Sequence, residues 1–220
     1  MNQTHTNHTY FLRHPMSWVG QILSFCSLNH LVSNSISLTF SKYRYHPQSF
    51  KDDRTTFTLP CWQLTDATLL DMLSSLTYGE ELAFHSQFFD FGKTYHLPLI
   101  DFGNVDRGII DSSVLKELAA HWNMSFSIYN SGRSYHAYGN KLISHEEWLH
   151  FMGSILLLNK PSGFKLVDER WVGHRIMAGY SALRWSCNTT QYKRMPTYVG
   201  FLNPNGLFFE PNPGAHIAGN

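Results

Sequence analysis

The chain is short of cysteine, of net charge and of long apolar runs, and each shortage removes a class of protein. Its three cysteines, Cys26, Cys61 and Cys187, are far apart and odd in number, so they build neither a disulfide framework nor a Cys-x-x-Cys zinc site and read as reduced, buried thiols. No apolar stretch approaches the roughly 20 residues that cross a bilayer. The opening Met-Asn-Gln-Thr-His-Thr-Asn-His-Thr lacks the positive start and apolar block of a secretory signal. A cytoplasmic setting with no membrane partner is expected, and the Asn-x-Ser/Thr matches at Asn2, Asn7, Asn123 and Asn188 then read as chance. A net charge of +1 excludes a polybasic nucleic-acid coat. No internal repeat or low-complexity linker divides the chain.

What is present is enough for a core: 220 residues, 43% hydrophobic and 15% aromatic. The charge that exists is uneven. Between Lys160 and Arg194 stand seven basic residues against Asp168 and Glu169, a patch that favours a phosphate-bearing ligand or stands as a solvated basic surface.

Periodicity predicts a helix over Ser17–Leu31, a strand over Ile36–Tyr45, a loop near Pro47–Arg54 and a helix capped at Thr65-Asp66 with Leu69, Leu70, Leu73 and Leu76 on one face. No function is visible before residue 60. Leu82–Phe89 and Tyr95–Phe102 read as two strands around an Asp90–Lys93 turn, a hairpin that delivers Asp101 at a strand end. Asp111 or Ser112 caps a helix bearing Leu115, Leu118, Ala119 and Trp122. A strand opening at Ser125–Tyr129 carries Ser134 and His136, and Ser144 with Glu147 forms a capping box for a helix bearing Trp148, Phe151, Met152, Ile155 and Leu156. Phe164–Ser186 reads as strand-rich, and the Asn-Pro-Asn-Gly and Pro-Asn-Pro-Gly runs as a turn-rich tail.

The densest chemistry lies in Tyr129–Gly139. In an extended segment side chains at i and i+2 leave one face, so Ser134 and His136 point together, Gly132 lets backbone approach a ligand and Arg133 offers a guanidinium fork. Two rival motifs lack their context. Asp101-Phe102-Gly103 echoes the kinase metal triplet without a Gly-rich loop or His-Arg-Asp element. His145-Glu146 with His150 has i, i+5 spacing, which sets the imidazoles about 140° apart on a helix and not on one face as a zincin requires. His174 beside Arg175 lines the site or is a structural histidine, and Arg184 is a ligand contact or a structural salt-bridge partner.

The Ser134-x-His136 pair resembles the second motif of the archaeo-eukaryotic primase superfamily. Leu99-Ile100-Asp101-Phe102-Gly103 is similar to its first motif, Leu166-Val167-Asp168 to its third, and Tyr180–Ser186 to its Leu-Arg segment. The resemblance implies an α/β (α+β) primase-like palm with a split ferredoxin-like or RNA-recognition-motif-like sheet and an N-terminal α/β extension. The implied layout is one domain over 1–220, with the extension over 1–80, the catalytic palm over 81–195 and a tail over 196–220. It also implies a DNA-replication type of primase-polymerase nucleotidyltransferase that uses nucleoside triphosphates on a single-stranded DNA or RNA template, with a helicase or another replication or defence protein as candidate partner. Asp101, Asp168 and His136 would be catalytic, and Ser134, His136, Arg133 and Arg184 would bind nucleotide. Mg²⁺ or Mn²⁺ would sit on Asp101 and Asp168, since hard ions take oxygen ligands. The family's first motif has two acids at i and i+2, and here the second place is Gly103. Asp106 would substitute, or the site binds fewer ions. A catalytically impaired nucleotide- or nucleic-acid-binding module is the alternative.

Overall fold

The computed structural model describes residues 11–33, 35–103 and 113–210. Among these, five α-helices and eleven strands build two antiparallel sheets. Helix α1 (Pro15–Leu28) starts on Pro15, whose missing N–H costs nothing in a first turn, and is capped by His14, whose Nδ1 accepts the Met16 N–H. It stops at Leu28, three residues before the predicted end, because the Asn29 side chain takes the last-turn carbonyl of Phe25 at 2.8 Å. Val19, Ile22, Leu23 and Cys26 bury one face in the first core.

The first sheet runs β2-β1-β3-β4-β8. Its members are β1 (Ser37–Arg44), β2 (Asp53–Pro60), β3 (Glu81–Asp90), β4 (Lys93–His96) and β8 (Ile143–Ser144). β9 (Ala182–Arg184) also pairs with β3, setting Ala83 opposite Arg184. Helix α2 (Asp66–Ser74) begins where predicted, with Thr65 Oγ1 accepting the Thr68 N–H. Trp185 is the pivot of this half. Its ring stacks on Phe84 at 4.8 Å, meets Phe40 edge-on, and donates its Nε1–H to the Tyr138 hydroxyl of the second sheet.

The predicted strand over Tyr95–Phe102 is two strands in two sheets. Pro98 has no N–H to continue a ladder, and there the chain leaves β4 for β5 (Leu99–Asp101). The second sheet is β11-β10-β6-β7-β5, with β6 (Phe126–Asn130), β7 (Tyr135–Gly139), β10 (Thr197–Asn203) and β11 (Gly206–Phe209). Helices α3 (Ser113–His121) and α4 (His145–Leu156) cover it, and Leu115, Leu118, Trp148, Phe151 and Met152 meet Ile100, Phe126 and Ile128 in a second core. The capping box of α4 is in place: Ser144 Oγ accepts the Glu147 N–H and Glu147 Oε2 accepts the Ser144 N–H. The expected cap of α3 at Asp111 or Ser112 falls outside the described residues.

A single antiparallel bridge, Phe102 to Val167, adds a fourth member beside β5. The order β6-β7-β5-Val167 is that of a ferredoxin-like βαββαβ unit whose last strand has shrunk to one bridge. The fold is the expected primase-like α+β arrangement. Two local readings are corrected. Phe164–Ser186 is not strand-rich, because Asp168 Oδ1 accepts the N–H groups of Arg170 and Trp171 and starts helix α5 (Glu169–Ala178). Residues 197–209 are no loose tail: Asn203 Oδ1 accepts the N–H groups of Asn205 and Gly206 and closes the β10–β11 hairpin onto β6.

Candidate functional site

A cleft of about 410 Å³ opens between the two sheets. One wall is the end of the second sheet. Asp101, the last residue of β5, pairs directly with His136 on β7, so both side chains leave the same face and Asp101 Oδ1 stands 3.6 Å from His136 Nε2. The predicted single strand carrying Ser134 and His136 is a hairpin. Asn130 Oδ1 accepts the Gly132 N–H at 2.8 Å and shapes its turn, and Ser134 sits at the exit with its hydroxyl donated to the Gly103 carbonyl. Gly132 has φ 104° and backs onto the main chain of Lys193 and Arg194, where a Cβ would come within 3.3 Å of both amides. Arg133 is exposed above the turn, facing the Tyr192 ring at 5.6 Å.

Asp168 enters from the start of α5. Its amide donates to the Asp101 carbonyl at 3.1 Å, which ties the two acidic segments together. One carboxylate oxygen caps the helix, and Oδ2 makes no hydrogen bond among the described residues. Arg184, on β9, is buried on the opposite sheet, bonds the carbonyls of Ser131 and Ser186, reaches that of Arg194 at 3.3 Å and lies 3.9 Å over the Tyr192 ring. Its guanidinium therefore presents a fixed positive field to the cleft while its N–H groups hold three chain segments. Asp101, Asp168, Ser134, His136, Arg133 and Arg184 all line this one cleft. Asp106 lies outside the described residues.

Electrostatics follow from the crowding. The Asp101 side chain keeps 28% of its surface open to the cleft. Burial, with the like charge of Asp168 adding and Arg184, Arg133 and Arg175 opposing, pushes its carboxyl up to about 8. Burial and the nearby Arg184 charge hold His136 well below its ordinary value. The imidazole is neutral at physiological pH, so its 3.6 Å contact with Asp101 is not an ion pair. Its Nδ1 is buried without a hydrogen-bond partner.

The opposite wall comes from residues where sequence reading found nothing. Tyr43, Tyr45, Asp52 and Arg54 from β1, β2 and their connection line it, with Tyr192. Interleaved basic and aromatic residues in Tyr43-Arg44-Tyr45, followed by Asp52-Asp53-Arg54, were the available signal. His174 and Arg175 lie on this wall too, on α5.

A model of the archaeo-eukaryotic primase 1D-like family matches residues 60–197, from the end of β2 to the start of β10. The chain belongs to that family. No curated protein and no solved structure matches the chain. Within this primase-like palm the missing second acid acquires a physical reason. Gly103 donates its N–H to the Leu166 carbonyl at 3.0 Å, and a Cβ there would lie 3.0 Å from the Lys165 carbonyl oxygen. The position is filled by the neighbouring backbone, so the glycine is part of how the Asp168 segment docks. Gly103→Asp is expected to cost about 2 kcal/mol through overpacking and to bring no gain in nucleotide incorporation. Urea unfolding with an incorporation assay checks both, and a gain in activity at unchanged stability would contradict the packing account.

Proposed function

We propose that this primase-like chain is a divalent-metal-dependent nucleotidyltransferase that makes or extends a nucleic-acid strand from nucleoside triphosphates on a single-stranded template. The observation that carries the reading is the convergence of Asp101 and Asp168 in a basic cleft beside Ser134 and His136. The charge of Asp168 adds to the cost of ionising Asp101, and a divalent cation would relieve that cost. Among the described residues no cluster of three or more His, Cys, Asp or Glu side chains stands ready for a metal, so Asp101 and Asp168 would share the ion with water and phosphate oxygens, as Mg²⁺ and Mn²⁺ sites commonly do. The donor set is all oxygen and suits those ions.

A bound ion supplies a lowered pKa for the attacking 3′-hydroxyl and charge compensation for the triphosphate. The chain's own residues do the rest. Neutral His136 donates a hydrogen bond to a phosphate oxygen, and Ser134 and the Gly132–Arg133 turn bring a hydroxyl, an amide and a fork to the same group. Arg184 holds the turn in place through the Ser131 carbonyl and adds a fixed positive charge.

A second reading is a nucleotide- or nucleic-acid-binding module within a larger replication or defence assembly. It is favoured by Gly103 in place of an acid and by the use of one Asp168 oxygen as a helix cap. No helix among the described residues is long and apolar enough to cross a membrane, and a cytoplasmic setting is part of the proposal. Metal-dependent incorporation by the purified chain on a single-stranded template tests the proposal. Activity that needs Mg²⁺ or Mn²⁺ is expected, and template or nucleotide binding with no incorporation under either metal would transfer support to the module.

A further inference from the structure

Among the described residues Arg175 is the least satisfied charge. Its side chain is only 2% exposed, yet one bond, Nη2 to Asp52 Oδ2 at 2.5 Å, is its whole hydrogen-bonding complement, and Nε and Nη1 are buried without partners. A guanidinium carries five N–H donors in a fixed fork, and leaving them unmet in a buried place is costly. The Tyr180 ring, 5.5 Å away, covers one face and accepts none of them in the plane. Arg54 meets the same carboxylate from the other side, Nε to Asp52 Oδ1 at 2.7 Å, and is itself 12% exposed. One carboxylate thus serves two largely buried arginines, and the cluster keeps a surplus positive charge. His85, beside them, adds no anion.

We propose that the Arg54–Arg175 pair, on the wall facing Asp101, is a second phosphate site that Asp52 occupies as an internal placeholder, and that its ligand is a phosphate group of a nucleic-acid strand. The planar Asp52 carboxylate turns one oxygen to each arginine and leaves Arg175 Nε and Nη1 unmet, whereas a phosphate has further oxygens at the angles a guanidinium fork meets. Asp52 can leave. It lies 29% exposed at the end of the connection between β1 and β2, and the other bond from that connection to α5 is Arg170 Nη2 to the Ser49 carbonyl at 3.1 Å. The same connection carries Tyr45, 50% exposed, and Phe50, 83% exposed. Aromatic faces beside a basic groove are what single-stranded nucleic acid uses for stacking. The site extends the nucleotidyltransferase reading to its second substrate, and its test omits metal so that the two readings fail separately.

The full chain is titrated in chelator, at fixed ionic strength, with inorganic phosphate against a chloride control, following thermal stabilisation. Removing the competing charge in Asp52→Asn should tighten phosphate binding on the order of tenfold. Adding Arg54→Gln, which keeps the partner of Arg175 in place, should cancel the Asp52→Asn gain, and Lys93→Gln, an exposed lysine outside the cleft, should leave phosphate binding unchanged. Oligothymidylate with a 5′-phosphate and with a 5′-hydroxyl separates the sources: tighter binding of the phosphorylated strand assigns the terminal group, and equal binding that Arg54→Gln weakens assigns a backbone phosphodiester. The proposal is overturned if Asp52→Asn leaves phosphate binding as it was, or if the gain survives Arg54→Gln, since the anion then sits elsewhere in the cleft. Absent incorporation in the metal assay leaves each of these results standing.

Discussion

Asp101→Asn is expected to lower the proposed metal-dependent incorporation by at least about 10³-fold, because the amide keeps the size of the side chain and loses the charge proposed to hold a divalent ion. The proposed nucleoside triphosphate binding through Ser134, His136 and Arg133 should persist, because the isosteric amide leaves the β5–β7 pairing and the Asn130–Gly132 turn in place. Stability should change in the opposite direction from activity. Burial and Asp168 raise the Asp101 carboxyl to about 8 in the metal-free protein, so between about pH 4 and 8 the native state holds a proton that the unfolded chain has released. Stability from this group is fully present below pH 4 and is lost as pH rises through 8. With part of the side chain open to water, the loss is on the order of 3 kcal/mol. Asparagine has no such loss, so in chelator at pH 8 the variant should be the more stable protein, and at pH 4 the advantage should vanish. Urea unfolding at the two pH values, beside incorporation with Mg²⁺ and Mn²⁺, gives both readouts. Retained incorporation would remove Asp101 from the metal, and equal destabilisation at both pH values would make it a structural residue.

The parts of this site that local pattern encodes were legible. Asp101 ends an apolar run, and Ser134 and His136 stand two apart after a Gly-Arg pair, so chain periodicity alone puts them at a strand end and on one face. The primase-like fold followed from the same motifs, and the family match over residues 60–197 bears it out. What failed was local chemistry hidden inside a familiar pattern. Val172, Ile176 and Trp171 have enough apolar character for a strand, and only the bonds from Asp168 to Arg170 and Trp171 reveal a helix start. The long strand over Tyr95–Phe102 ignored Pro98. The second wall was invisible for a different reason: Asp52 and Arg175 meet across 123 positions of chain, and no periodicity carries a contact of that range. Arg184 shows the limit for single residues. Its basic, aromatic-flanked setting was readable, but not that its N–H groups would be spent on the carbonyls of Ser131, Ser186 and Arg194.

Acid should destabilise this protein above the pH at which ordinary carboxylates titrate, because four histidines are buried neutral, His136 in the cleft and three others in the core. His14, His85 and His96 are each at most 1% exposed. Burial pushes His14 down to about 4, and His85 and His96 down to about 3, with Arg184 adding to the effect on His14, Arg54 and Arg175 on His85, and His145 on His96. The bonds of His14 need the neutral ring: its Nδ1 accepts the Met16 N–H while Nε2 donates to the Trp185 carbonyl, so a proton on Nδ1 breaks the cap of α1. Below about pH 6.5 the unfolded chain takes up protons that the native state refuses, and stability falls as pH falls until the folded values near 4 and 3 are reached. At pH 5 each histidine costs about 2 kcal/mol and the three together about 6, a large part of the 5–15 kcal/mol that holds a domain together. The Asp101 carboxyl works against this over the same range by about 3 kcal/mol at most, which leaves a net loss. Urea midpoints should therefore drop steeply between pH 7 and 5. His14→Asn keeps a good N-cap without a titrating group, and its slope should be shallower by about one proton. A midpoint that does not move between pH 7 and 5, or a His14→Asn slope equal to that of the parent chain, would show that these rings take up protons without unfolding the core around Trp185.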